Sequence, residues 1–138
     1  MNKEKFEEKA SQQALPVMIE FKDQVFPLLF EKQTPYACLT FSKEAIELND
    51  INPITNKKGK TFGGWIYPDI KRIEFLSVPK NFGVVIGNQG VPNNLGLKII
   101  FKNGNVYGVE CEDMNVAPLL IDFLPEHGIE VADRLLDK

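Results

Sequence analysis

From Gly64 to Leu124 the chain breaks into short apolar stretches and then changes period. GWIYPDIKRIEFLSV, FGVVIGN and LGLKIIFKNGNVYGVECED read as consecutive strands, bounded by Pro-Asp, Asn-Gly and polar loops. After Glu112 the spacing becomes helical, with Val116, Leu119, Leu120, Phe123 and Leu124 forming one stripe. Strands in series closed by one amphipathic helix confine the chain to a mainly β fold with a C-terminal α-helix. Asn115 suits the N-cap, Pro118 falls in the first turn, and Pro125 ends or kinks the helix. Ile129 and Val131 are expected to pack back on the sheet.

One hairpin fixes its own register. A two-residue turn at Asn103-Gly104 would pair Lys102 with Asn105 and set Leu97 opposite Glu110. A three-residue loop pairs Phe101 with Asn105, so that Ile99 faces Tyr107, Leu97 faces Val109 and Leu95 faces Cys111. A slip of one residue turns every side chain to the other face, so the apolar pattern selects the longer loop. That loop needs a left-handed residue, and Gly104 supplies it.

The first half is less regular. Residues 3–13 are helix formers of alternating charge and read as a short helix or arm. In residues 17–31 Met18, Phe21, Val25 and Leu28 recur at helical spacing, whereas Pro27 opposes a helix, so strand and helix both stand. YACLTF and AIELND are strands joined at Ser42–Glu44, and Asn49–Lys60 is a long polar loop.

The segments LTFSKEAIELN, WIYPDIKRIEF and LKIIFKNGNVYGVECED with the following helix resemble the bacterial pleckstrin-homology-like and GRAM-like superfamily. The resemblance covers residues 36–124. It implies a strongly bent antiparallel sheet, or partly open barrel, of seven strands plugged at one end by the helix. It further implies binding or assembly, with some members forming homo-oligomers.

At 138 residues the chain is expected to be a single domain, and 43% apolar residues suffice for a core without disulfide or metal. The net charge of −3 gives no general attraction to nucleic acid. The charged segment MNKEKFEEKASQQ has no apolar signal core, and no apolar run reaches about 20 residues, so a cytoplasmic setting is expected. Cys38 and Cys111 sit in apolar strand contexts and read as core thiols.

No residues assemble into a catalytic, cofactor or metal constellation. His127 is the single histidine, and the cysteines and carboxylates show no ligand spacing. Gly59-Lys60-Thr61 mimics the end of a phosphate loop, but Ile54 stands where the first glycine belongs. The candidates for a binding surface are the basic cluster Lys57, Lys58 and Lys60 and the aromatic pair Trp65 and Tyr67. Trp65 and Tyr67 read first as core and second as a platform or oligomer contact. In eukaryotic lipid-binding relatives a basic loop with arginine lies between the first two strands, whereas this cluster follows the strand pair and holds no arginine. The expected function is therefore a non-catalytic module that recognises a protein partner or itself. Peripheral binding to membrane lipid is the alternative, and a small enzyme of unknown reaction the third.

Overall fold

The computed structural model describes residues 1–26, 35–55, 57–79 and 93–135. Helix α1 (Lys3–Gln12) leads into β1 (Leu15–Phe21), β2 (Gln24–Phe26), β3 (Ala37–Phe41), β4 (Ala45–Ile51) and β5 (Lys58–Ile66). A 3-10 turn at Tyr67–Asp69 passes the chain to β6 (Ile70–Pro79), followed by β7 (Asn93–Phe101) and β8 (Val106–Cys111). Helix α2 (Val116–Phe123), a second 3-10 turn at Leu124–His127 and β9 (Glu130–Asp133) complete the order. The expected strand at Gly83–Asn88 and the positions of Pro27 and Leu28 lie outside the described residues.

The nine strands of the described residues form one mixed, open sheet in the order β5-β4-β3-β1-β8-β7-β6-β9, with β2 paired to β1 off that path. The mainly β class, the C-terminal helix and the short helix within residues 3–13 are as expected; the purely antiparallel sheet is not. β1 runs parallel to β3 and to β8, and β9 runs parallel to β6. Antiparallel neighbours announce themselves by the turn that joins them. A parallel pair has no such local mark, because the chain must cross over between its strands.

β1 joins the two halves. Leu15 and Pro16 pair with Val109 and Glu110 of β8, and Val17 to Phe21 pair with Ala37 to Phe41 of β3. From Ile19 onward β2 takes the edge that β8 has left. The β1–β2 hairpin turns at Lys22 and Asp23, whose φ angles of 51° and 64° mark a two-residue turn of the type that matches strand twist. This turn, made without glycine, shows the described part of residues 17–31, as far as Phe26, to be a hairpin. The core lies on the face formed by Leu15, Val17 and Ile19 of β1, Leu39 of β3, Ile46 and Leu48 of β4, Ile73 and Phe75 of β6 and Leu97 and Ile99 of β7.

The β7–β8 hairpin has the register chosen by its apolar pattern. Leu95 faces Cys111, Leu97 faces Val109 and Ile99 faces Tyr107. Phe101 N donates to Asn105 O at 2.9 Å, and Gly104 has φ 97°. Val116 and Leu120 of α2 and Leu124 of the turn after it are fully buried, whereas Leu119 is 40% exposed because it falls off the four-residue row that faces the sheet. The expected side-chain cap at Asn115 is absent; Asn115 is itself helical in conformation, and Asp113 Oδ1 accepts from its N–H at 2.9 Å. Gly128, at φ 78°, then releases the chain toward β9, and Ile129 is buried.

Two outcomes follow from this packing. Gly104→Val should lower the free energy of unfolding by about 1 kcal/mol or more, because a β-branched residue is strained at positive φ. Leu120→Ala should cost about 2–5 kcal/mol. Urea unfolding curves measure both, and a change under about 0.5 kcal/mol in the second would remove the helix stripe from the core.

Candidate functional surfaces

The lysine cluster sits on the β4–β5 hairpin. Asn52 organises the loop: its Oδ1 accepts from Ile54 N at 2.8 Å and Thr55 N at 3.1 Å, and its N–H donates to Lys57 O at 2.9 Å. Ile54 projects from this loop with 90% of its surface exposed. Lys58 Nζ pairs with Glu20 Oε2 of β1 at 2.9 Å, and this hydrogen bond raises its pKa. Lys57 and Lys60 remain exposed. On an outermost strand, lysines also guard against unwanted edge pairing.

Beside that ion pair runs a polar seam that sequence patterning missed. Thr40 Oγ1 donates to Asn49 Oδ1 at 2.9 Å, and Asn49 Nδ2 donates to Thr61 Oγ1 at 2.6 Å. Asn49 is 4% exposed, so these bonds satisfy an amide taken out of water. The register shifts here, with Leu48 opposite Gly63 but Asn49 opposite Thr61, which leaves Phe62 as the extra residue of a bulge.

Trp65 and Tyr67 are in the core, 4% and 2% exposed. Trp65 stacks on Tyr107 at 5.7 Å and meets Phe101 edge-on at 5.3 Å. Tyr67 donates its hydroxyl to Ser42 O at 2.6 Å and contacts Phe123 of α2. Burial pushes the Tyr67 hydroxyl pKa well above its ordinary range. His127, the single histidine, lies against both rings, 4.7 Å from Tyr67 and 4.4 Å from Phe123.

A shallow cleft of about 330 Å³ lies between α1 and the start of β8, lined by Glu4, Glu7, Glu8, Ser11 and the stretch Asn105–Tyr107. Glu7 Oε2 accepts from Trp65 Nε1 at 2.9 Å, and Glu7 shares the cleft with Tyr107. Burial first, and the Glu7 charge second, raise the Tyr107 pKa. The spacing of Glu4, Glu7, Glu8 and Ser11 was a signal for one helix face, but their partner strand was not legible. Across the sheet, Glu74 lies between two arginines, 3.2 Å from Arg72 Nε and 3.6 Å from Arg134 Nε, tying β6 to the segment after β9.

Both cysteines are fully buried. Burial pushes Cys38 from 9.0 up to about 11, opposed by the Thr40 hydroxyl, and Cys111 from 9.0 up to about 12. Such thiols are protonated and weakly nucleophilic at neutral pH. Among the described residues no three His, Cys, Asp or Glu side chains are grouped to hold a metal ion, and no helix is long and apolar enough to cross a membrane.

No family model, no curated protein and no solved structure matches this chain.

The thiols generate a pH expectation. Their folded pKa values are raised, so the stability they contribute is full below about pH 9 and is lost as pH rises through about 11 to 12. Urea midpoints should fall over that window, and less steeply in Cys38→Ala. Iodoacetamide at pH 8 should label neither thiol of the folded protein and both after unfolding; rapid labelling of either would contradict the buried, protonated state.

Proposed function

We propose that this protein is a non-catalytic binding or assembly module whose ligand is a protein surface, with a second copy of itself among the candidates. The observation that carries this reading is the outermost strand β5 and its approaches. Ile54 precedes the strand at 90% exposure, Ile66 ends it at 52% exposure, and Lys57 and Lys60 stand between them. Apolar contacts at two ends with cations between suit a partner that offers hydrophobic and acidic groups together. The reactive groups support the same reading by their positions. The thiols are buried, the histidine is stacked on aromatic rings, and Glu7 and Glu74 are held by Trp65 and by Arg72 and Arg134.

Lipid binding is the second reading, and magnitudes weigh against it. A lysine near an anionic surface contributes about 1 kcal/mol. Lys58 is committed to Glu20, so two free lysines give about 2 kcal/mol, less than the roughly 4.1 kcal/mol of a millimolar interaction.

Capture of partners from the native cell, with the wild type and with Ile54→Asp/Ile66→Asp as bait, tests the protein reading. A partner retained by the wild type and lost by the variant is the expected result; equal capture by both would remove β5 from the contact. Sedimentation with phosphatidylserine vesicles at physiological salt tests the alternative. Micromolar binding abolished by Lys57→Glu/Lys60→Glu would replace the protein reading with the lipid one.

A further inference from the structure

Helix α1 meets the sheet as a ligand meets a groove. Only Phe6 and Ala10 of its ten residues are buried. The Phe6 ring enters between Phe62 and Trp65, its centroid 6.1 Å from each. The receiving surface is shaped for a helix. A Cβ on Gly63 of β5 would stand 2.8 Å from Lys3 Cβ, too close for any other residue without a shift, whereas Gly108 of β8 lies at ordinary contact distance from Ala14 and the Ala10 carbonyl. The bulge at Phe62 turns that ring toward Phe6. The Trp65 indole N–H, in a side chain 4% exposed, finds its acceptor on the helix at Glu7. With the helix removed, a donor in the groove would lose its partner and aromatic surface would meet water. Some helix is therefore required in this groove, and its identity is set by one aromatic side chain and the carboxylate beside it.

The connection to the rest of the chain permits that helix to come from elsewhere. α1 ends at Gln12, and β1 begins at Leu15. Gln13 between them is already extended, with φ −156° and ψ 156°, and no glycine or proline turns the chain at Gln13 or Ala14. Only Gln13 and Ala14 join the helix to the strand, so a change of backbone angles at these two residues would carry the helix outward. A helix supplied by a neighbour would restore the same Phe6 and Glu7 contacts, which makes concentration the deciding variable.

We infer that the groove formed by Phe62, Gly63, Trp65, Tyr107 and Gly108 is a helix-binding site, filled by α1 within one copy and by α1 of a second copy in the assembled state. This rests on the assembly-module reading and names its partner. The fitting ligand is a short amphipathic helix carrying a phenylalanine followed by a carboxylate.

The probe is a synthetic peptide of residues 1–13 added to full-length Phe6→Ala protein, with the single tryptophan, Trp65, as reporter. A saturable change in its emission is expected, with affinity at least tenfold lower for the peptide carrying Phe6→Ala and reduced for the one carrying Glu7→Gln. No saturable change in a protein that keeps the wild-type circular dichroism would overturn the groove. Should Phe6→Ala unfold, the same peptide, labelled and mixed with wild-type protein, is read by anisotropy under the same criteria. Wild-type protein is then followed by light scattering from micromolar to millimolar concentration. A dimer that grows with concentration and is dissolved by excess peptide is expected; a monomer throughout, or a dimer indifferent to the peptide, would overturn exchange between copies. Partner capture that depends on Ile54 and Ile66 is a separate readout, so failure of the peptide leaves the broader module reading to be judged on its own test.

Discussion

The shared strand β1 is the constraint on which the rest depends. Its first residues belong to the half containing β8, β7, β6 and β9, and its later residues to the half containing β3, β4 and β5. With β1 removed, the two halves would keep their hairpins but lose the strand pairing that joins them. Its inward side chains Leu15, Val17 and Ile19 are all fully buried, so the joint is also where the core is continuous. Pro16 fits this place because a strand that changes partners leaves one N–H without a ladder position, while its carbonyl still accepts from Tyr36 N at 2.8 Å.

Where the sheet does not close, side chains fill the opening. Trp65 of β5 reaches Phe101 and Tyr107 across the interior, and α1 lays Phe6 and Glu7 over that contact. On the other side of Tyr67, Phe123 of α2 meets both Tyr67 and Phe21. Aromatic rings suit this role because one residue covers a wide gap, and the indole and phenol each keep a polar tip that must be bonded. Trp65 and Tyr67, read from sequence first as core and second as a platform, are thus joints of the interior. Around β5 the exposed side chains include the aliphatic Ile54 and Ile66 and the cationic Lys57 and Lys60.

Charge is spent in the same manner. Lys58–Glu20 links β5 to β1 across two intervening strands, and Glu74 links Arg72 to Arg134 beyond β9. The Lys58–Glu20 pair, open to solvent at its lysine, contributes little, whereas the buried Glu74 needs its arginines as partners; both favour one register over its neighbours. The Thr40–Asn49–Thr61 seam acts with them, fixing the bulge that presents Phe62 to α1.

The sequence alone determined what is local. Alternation and turn chemistry set the β7–β8 register, since a slip by one residue would have buried Glu110 and exposed Val109. Helical spacing marked Val116 and Leu120 of α2 for burial, though Leu119 of the same expected stripe is exposed, and the strand pair β3–β4 followed from its short turn. Tertiary structure decided everything that joins residues without a turn between them. That includes the parallel partners of β1 and β6, the seat of α1 on Gly63 and Gly108, the acceptor for Trp65 and the partner of Lys58. The physical reason is range. Periodicity records which face of an element is apolar, and any apolar face fits another in composition; which face it meets depends on shape and on the few polar atoms that burial leaves in need of a partner.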